Sequence, residues 1–412
     1  MRNKRFLFCI CFFSSMLGGT VSTLMAVYLP AALKDLFLHS GTISSDDIGA
    51  SISAIFIFGW MAGGIVWGIL CDTIGRRRSF IYATAGYGLF TLLTAIAPSW
   101  QFVLISRLLS GFGIGGVLVI TTMLVSESYR EGRRAVLLGI LSISIPLGIF
   151  SAGLINYLVH NWRLAFAVGV IPMILAALAA RYLREQGREE VRESAGHRAA
   201  VDLPGLFSGP NGKNILIGSL IFGAALIGLW AAFSWLPSWI QSLIPGADGQ
   251  KERGIAMMLM GTGGLAGGFV SGWIVNAINV KRTLLACFGI CFVLSFLLFK
   301  VSDRLTPAVF LQIGIISIFF GVSQGALSVY IPDLFPSSVS ATGTGFCFNL
   351  GRLFTAIAVF FVGSLVDLLG GYGNAIFCFS FVFLIGLFLT LFTKAARRPP
   401  RTDPSFSPST TP

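Results

Sequence analysis

Two arginines stand inside apolar sequence long enough to cross a bilayer: Arg107 in VLISRLLSGFG and Arg352 in FNLGRLFTAIAVFF. An arginine at the centre of a membrane helix costs roughly 2.5 to 3.5 kcal/mol, so each needs a partner or a wet cavity. The seventeen acids do not supply one. Asp35, Asp46, Asp47, Asp248, Glu252, Asp303 and Asp367 fall in loops or helix ends on one side. Asp72, Glu127, Glu131, Glu185, Glu189, Glu190, Glu193, Asp202, Asp333 and Asp403 fall on the other, and His39, His160 and His197 are also in loops. A guanidinium with no fixed counter-charge can receive an anion from outside, most simply a carboxylate held by two parallel hydrogen bonds. Other roles stay open: Arg107 could hold backbone carbonyls and hydroxyls near Thr20 or Ser22, and Arg352 could cap carbonyls between helices.

Polar and aromatic side chains within the same kind of segment extend the list. Tyr28, Asn156, Trp230, Trp235, Gln324 and Asn349 with Phe348 are candidates for the wall around a guest. They also have plainer roles, since polar groups in membrane helices bond across helices and tryptophans such as Trp235 and Trp239 form interfacial belts. Without an acid, a histidine or a Cys/His cluster at mid-membrane depth, neither acid–base chemistry nor a metal site is expected, and no cofactor is implied. The seven cysteines lie in or beside apolar runs and read as small hydrophobes.

The elements that must position these residues follow from composition. With 55% hydrophobic and 11% charged residues among 412, the chain is a polytopic membrane protein. The net charge of +12 is dealt out in short clusters between apolar runs, which argues against a nucleic-acid face. Cutting at charges and turns gives twelve segments, approximately Phe6–Leu33, Ile48–Leu70, Ser79–Ala97, Gln101–Ser126, Ala135–Leu158, Trp162–Ala180, Ile215–Ile240, Gly254–Val275, Thr283–Phe299, Pro307–Ile331, Ser340–Val366 and Tyr372–Thr393. The first begins like a signal peptide, but its apolar run continues to about Ala32, so it is read as a spanning helix. With both termini cytoplasmic, 21 lysines and arginines fall inside and 6 outside, Arg253 among the latter.

The chain is expected to divide into residues 1–180, a cytoplasmic linker 181–213, residues 214–394 and a disordered tail 395–412 rich in proline and serine. A shift of 204 residues supports two related halves: it lays Gly63, Gly64, Gly68 and Arg78 on Gly267, Gly268, Gly272 and Arg282, while Asp72 and Gly75 become Asn276 and Asn279. These glycines are expected to let neighbouring helices approach closely.

GGIVWGILCDTIGRRR, from Gly63 to Arg78, carries Gly68, Asp72, Gly75, Arg76 and Arg77 in the pattern that resembles the loop between helices 2 and 3 of the major facilitator superfamily. RLLSGFG resembles that superfamily's helix 4 signature. SESYREGRRA and NWRLAF are similar to its sugar porters and metabolite symporters, and IPDLFPSSVSATGTGFCFNLGR to bacterial metabolite and aromatic-acid symporters and related organic-ion transporters. The resemblance implies an all-α membrane fold of twelve helices in two pseudo-symmetric six-helix bundles, a bacterial inner-membrane location, a monomer in the bilayer, and a small-molecule substrate moved by alternating access. It implies a gate in which Asp72 meets the amino end of helix 11 and Arg76 bridges toward Glu127, with Gly75 turning the chain and Asp333 ending helix 10 as Glu127 ends helix 4.

It also matches Arg352 to an arginine of organic-anion carriers and Arg107 to the partner of a helix 1 aspartate in proton-coupled members. Here Thr20-Val21-Ser22-Thr23 stands in place of that aspartate. The expected function is therefore a carrier of a small organic anion, with coupling by facilitated diffusion, exchange or a group not identified from the sequence. The alternative on the same fold is a carrier of neutral sugars or an exporter of apolar or cationic drugs.

Overall fold

The computed structural model describes residues 2–36, 44–129, 131–183, 209–246, 248–336 and 339–393. Within them the chain makes twelve helical passes: α1 (Arg2–Leu36), α2 (Ser45–Ile74), α3 (Arg76–Ala95), α4 (Trp100–Ser128), α5 (Glu131–Ser142 and Ser144–Leu158) and α6 (Trp162–Phe166, a 3-10 turn, then Val170–Tyr182). The second six are α7 (Gly209–Leu243), α8 (Gln250–Ile278), α9 (Val280–Val301), α10 (Pro307–Tyr330), α11 (Ser340–Phe360 and Val362–Leu369) and α12 (Tyr372–Phe392). Eleven of these are long and apolar enough to cross a membrane. The exception is α3, which opens on three arginines and buries Ser79, Thr84, Thr91 and Thr94, so its polarity is spent against its neighbours. That corrects the expectation of twelve apolar segments while keeping the twelve passes.

Two interruptions trace to prolines. Pro146 has no N–H to give the Ser142 carbonyl, and α5 breaks at Ile143; Pro172 likewise cannot serve Val168, and α6 passes through a 3-10 turn at Ala167–Gly169. Elsewhere the ends are capped locally: the Ser44 hydroxyl accepts from the Asp47 N–H at 3.1 Å, and the Asn161 side chain accepts from the Arg163 N–H at 2.9 Å.

The repeat seen in the sequence is a repeat of packing. In the first half α2 lies on α4, α3 on α4 and α6, and α1 on α5; in the second α8 lies on α10, α9 on α10 and α12, and α7 on α11. The two tightest seams use matching glycines. A Cβ on Gly63 would lie 1.9 Å from the Phe112 carbonyl oxygen, and one on Gly267 would lie 1.9 Å from that of Ile318. Gly64 has looser surroundings, and Gly68, Gly268 and Gly272 have nothing within 4 Å, so the close-packing role expected of all six falls on Gly63 and Gly267. The turn repeats too: Gly75 has φ +90°, and its counterpart Asn279 has φ +76°, the one non-glycine residue with positive φ among the described residues. Asparagine tolerates this region because its side chain bonds locally, here accepting from the Lys281 N–H at 3.1 Å.

Between the halves α2 packs on α11, α5 on α8 and α1 on α7. The linker expected at 181–213 lies mostly outside the described residues, and so does the tail at 395–412. All seven cysteines are free, five of them buried.

The seams give a direct test. Gly63→Ala and Gly267→Ala are each expected to lower stability toward the upper end of the ~1–3 kcal/mol that overpacking costs, because backbone must move. Gly68→Ala should stay within about 0.5 kcal/mol of wild type. Thermal unfolding of the detergent-purified variants reads the difference, and equal losses at all three positions would refute the assignment of the seams.

Candidate functional site

The two halves enclose a cavity of about 680 Å³ lined from eight helices. α1 contributes Ser22 and Thr23, α2 Ile57 and Trp60, and the broken stretch of α5 Ser142, Ile145, Pro146 and Ile149. α7 brings Phe222, Trp230 and Phe233, α10 brings Gln324, and α11 brings Arg352 and Thr355. The break at Ile143 is thus what turns backbone and proline toward the hollow. Along α8 the lining begins at Met260 and runs to Asn276, two residues from the helix end; along α10 it runs from Ser317 to Val329. The hollow therefore reaches the face that carries Arg76, Arg77, Arg78, Lys281 and Arg282.

The other end is closed. The Tyr28 hydroxyl donates to the Val159 carbonyl at 2.5 Å, and Gln250 Nε2 donates to the same carbonyl at 2.9 Å, tying α1, α5 and α8. Gly153 and Gly254 let α5 and α8 approach, since a Cβ on either would meet the other's carbonyl oxygen at 2.7 and 2.9 Å. Across the second pair, the Tyr372 hydroxyl donates to Asp46 at 2.7 Å and the Ser364 hydroxyl to Asp47 at 2.8 Å. Trp235 stacks on Tyr372 with centroids 5.8 Å apart, and Trp239 packs edge-on against Phe299. Both tryptophans are buried, so the interfacial belt considered for them is replaced by core packing.

Of the six residues expected to touch a guest, Trp230, Gln324 and Arg352 line the cavity, whereas Arg107, Tyr28 and Asn349 do not. Arg352 Nη1 has the Asn349 side-chain oxygen at 3.4 Å, and its guanidinium lies 5.9 Å from the Trp60 ring centroid. Asn349 thus sits behind Arg352, its amide donating to the Gly345 carbonyl at 2.9 Å. Trp60 meets Trp230 edge-on at 5.6 Å, making an aromatic corner across the halves. Gln324 Nε2 is buried without a protein acceptor. Trp60 was missed by sequence reasoning; a tryptophan in mid-span rather than at an interface was the available signal.

Arg107 is 2% exposed and committed to backbone: it donates to the Val21 carbonyl at 2.9 Å and the Ser22 carbonyl at 3.3 Å, with its guanidinium 4.0 Å from the Phe56 ring centroid. Expected as a substrate contact, it stands off the cavity in this structure, with its two terminal nitrogens on α1 backbone and its Nε buried without a partner. Arg253, counted from the sequence as a loop charge, is also 2% exposed and donates to the Gln241 side chain and to the Asp248 carbonyl. Among the residues expected to form a gate, Arg76 holds Glu127 through Nε at 3.2 Å and Nη2 at 3.2 Å, and the Cys71 carbonyl through Nη1 at 3.0 Å. This contact joins α3 to α4 within one half. Asp333 lies in the 3-10 turn Pro332–Leu334 after α10. The Asp72 side chain lies outside the described residues.

Arg107→Gln is expected to lower stability by about 1.5–3 kcal/mol, the worth of hydrogen bonds from a charged donor. It should leave untouched whatever stabilisation a bound ligand gives to the surviving protein. Thermal unfolding with and without ligand separates the two, and loss of the ligand effect alone would return Arg107 to the site.

The comparisons with known proteins agree with this architecture. The profile of the Major Facilitator Superfamily matches residues 7–358. A probable 4-methylmuconolactone transporter of Cupriavidus pinatubonensis is 28% identical over 76% of this chain and 73% of its own. A 3-(3-hydroxyphenyl)propionate transporter of Escherichia coli is 27% identical over 82% and 85%. The crystal structure of a D-xylose-proton symporter superposes with a TM-score of 0.75 at 16% identity, covering 93% of this chain and 96% of that one. The chain is a multi-pass membrane transporter, not an enzyme, and belongs to the major facilitator superfamily.

Proposed function

We propose that the protein carries a small organic anion, a carboxylate with an apolar body, by alternating access between residues 1–180 and 214–394, joined by the linker 181–213. The observation that carries this reading is Arg352: a guanidinium facing a largely apolar cavity, beside Trp60 and Trp230 and with only neutral groups around it. A carboxylate on Arg352 and a ring or hydrocarbon body against the tryptophan corner use both features. Gln324 is then free to donate to a second acceptor on the guest. The named cargo of the Escherichia coli relative, a hydroxyphenylpropionate, has this construction.

The cavity reaches the basic face, which by the positive-inside rule is the cytoplasmic one, with both termini on that side and a bacterial inner membrane as the setting. The protein is then poised facing inward. The opposite end is held by Tyr372 on Asp46, Ser364 on Asp47 and Gln250 on the α5 backbone, contacts that must part when that end opens. On the inner face Asp72, Gly75, Arg76, Glu127 and Asp333 form the gate that closes in exchange. The Arg76–Glu127 pair fixes the shape of that face within the first half, so its part in gating is to position its neighbours rather than to bridge the halves.

A thermal-shift screen against small carboxylates, neutral sugars and organic cations tests the reading. A ligand at a hundred times its dissociation constant should stabilise the protein by about 2.7 kcal/mol. Carboxylates are expected to give this shift, and Arg352→Gln is expected to abolish it with little change in the unliganded melting temperature. Stabilisation by sugars or cations that survives Arg352→Gln would overturn the anion reading and favour a neutral or cationic cargo.

A further inference from the structure

The charge inventory of the cavity carries a statement about coupling, which rests on the anion reading above. Among the described residues that line the cavity, Arg352 is the only charged side chain. The remaining polar lining is neutral: serine and threonine hydroxyls, Ser22, Thr23 and Thr355 among them, the tryptophan indoles, and the amides of Asn276 and Gln324. Several of those hydroxyls already donate to their own helices, Ser22 and Thr23 to the Gly19 carbonyl at 2.7 and 3.0 Å and Thr355 to the Gly351 carbonyl at 2.8 Å. The nearest acceptor to Arg352 is the neutral Asn349 amide. Nothing in the lining can therefore become an anion to balance the guanidinium.

In the open state water does that work. To move between faces, the protein must pass through a form closed at both ends, where a charge in an apolar enclosure is penalised. A bound monoanion neutralises Arg352 and lets the loaded form close; the empty form has no such route. A dianion leaves one negative charge over and meets the same penalty with the sign reversed. We infer that the protein is an obligatory exchanger of monoanions: each reorientation needs a monocarboxylate in the cavity, so one leaves for each that enters. No proton enters this cycle, and exchange of like charges makes it electroneutral.

The test uses the full chain in proteoliposomes, with radiolabelled 3-(3-hydroxyphenyl)propionate as probe at pH 7.5 and protein-free vesicles as control. Entry into vesicles preloaded with the unlabelled probe is expected to exceed entry into empty vesicles by about a hundredfold, the factor that the cost of one unpaired central arginine corresponds to. It should be insensitive to imposed pH and voltage gradients. Equal entry into empty vesicles, or entry driven by a pH gradient, would overturn the exchange while leaving the anion reading standing. Movement of xylose in place of the carboxylate, or movement of neither, would overturn both.

Two variants probe the cause. Thr355→Asp puts a carboxylate one helical turn from Arg352, within the reach of an i, i+3 pair, and Gln324→Glu puts one on α10 in the same cavity. Each supplies the missing counter-charge to the empty form but leaves the loaded form with one negative charge over, so exchange of the probe is expected to fall about a hundredfold, and entry into empty vesicles to require a proton carried with the anion and so to follow an imposed pH gradient. Folded variants that still move the probe only by exchange would refute the charge argument.

Discussion

A single unpaired guanidinium is the constraint on which the rest of this molecule turns. Arg352 cannot be left in an apolar enclosure without water or an anion, and the structure meets that requirement by opening a cavity to it from one end only. Arg107 shows the other solution to the same problem. It is the more deeply buried of the two, but two α1 carbonyls hold its terminal nitrogens and the Phe56 ring lies against it. One arginine is satisfied by the fold and serves as a bolt between α1 and α4. The other is satisfied only by what enters.

For that dependence to matter, the walls must not yield. Interiors of this density move as blocks rather than deform, and the glycine seams make each half such a block. Gly63 on α2 brings the backbone onto α4, and Gly267 on α8 does the same toward α10, at the same clearance. Across the halves one glycine contact, Gly153 on Gly254, joins α5 to α8 at the closed end, and the other contacts named above are aromatic edges, two hydroxyl bonds and one amide. A molecule whose rigid halves meet along a closed end and part around a cavity has one soft coordinate, the rocking of one half on the other, as repeat-built transporters of this layout require.

Much of this was legible in the sequence because membrane insertion writes strong rules. The twelve passes, the two halves and the side carrying the arginine clusters follow from apolar length and charge placement. Arg352, Gln324 and Trp230 could be picked out because a polar or bulky group in mid-span needs a reason. What was not legible depended on helix rotation and depth. Gly68 shares the spacing of Gly63, yet it faces open space, since one step along a helix turns a residue by about 100°. Arg253 reads as a loop charge because it lies near a turn, but the start of α8 dips inward and buries it. Trp60 lies among other apolar residues, Phe56 and Phe58 included, and only the meeting of α2 with α7 across the halves makes it part of a wall. The alignment of Gly75 with Asn279 did not say that the two share a positive φ, a backbone shape reached by a second residue type.

The closed end and the open end are also matched in energy. Each hydroxyl bond to a carboxylate across the halves is worth about 1.5–3 kcal/mol, and the neutral Gln250 contacts about 0.5–1.5. An unpaired arginine in mid-membrane costs roughly 2.5 to 3.5 kcal/mol. The terms are of the same order, so whether Arg352 is paired can decide which end stays shut. Had the outer contacts been a dense network of buried ion pairs, neutralising one guanidinium could not have tipped the balance. Had they been absent, the cavity would stand open to both sides and leak. Tyr372, Ser364 and Gln250 supply a closure weak enough to break and strong enough to hold, and the charge on Arg352 is the term of matching size that the cargo controls.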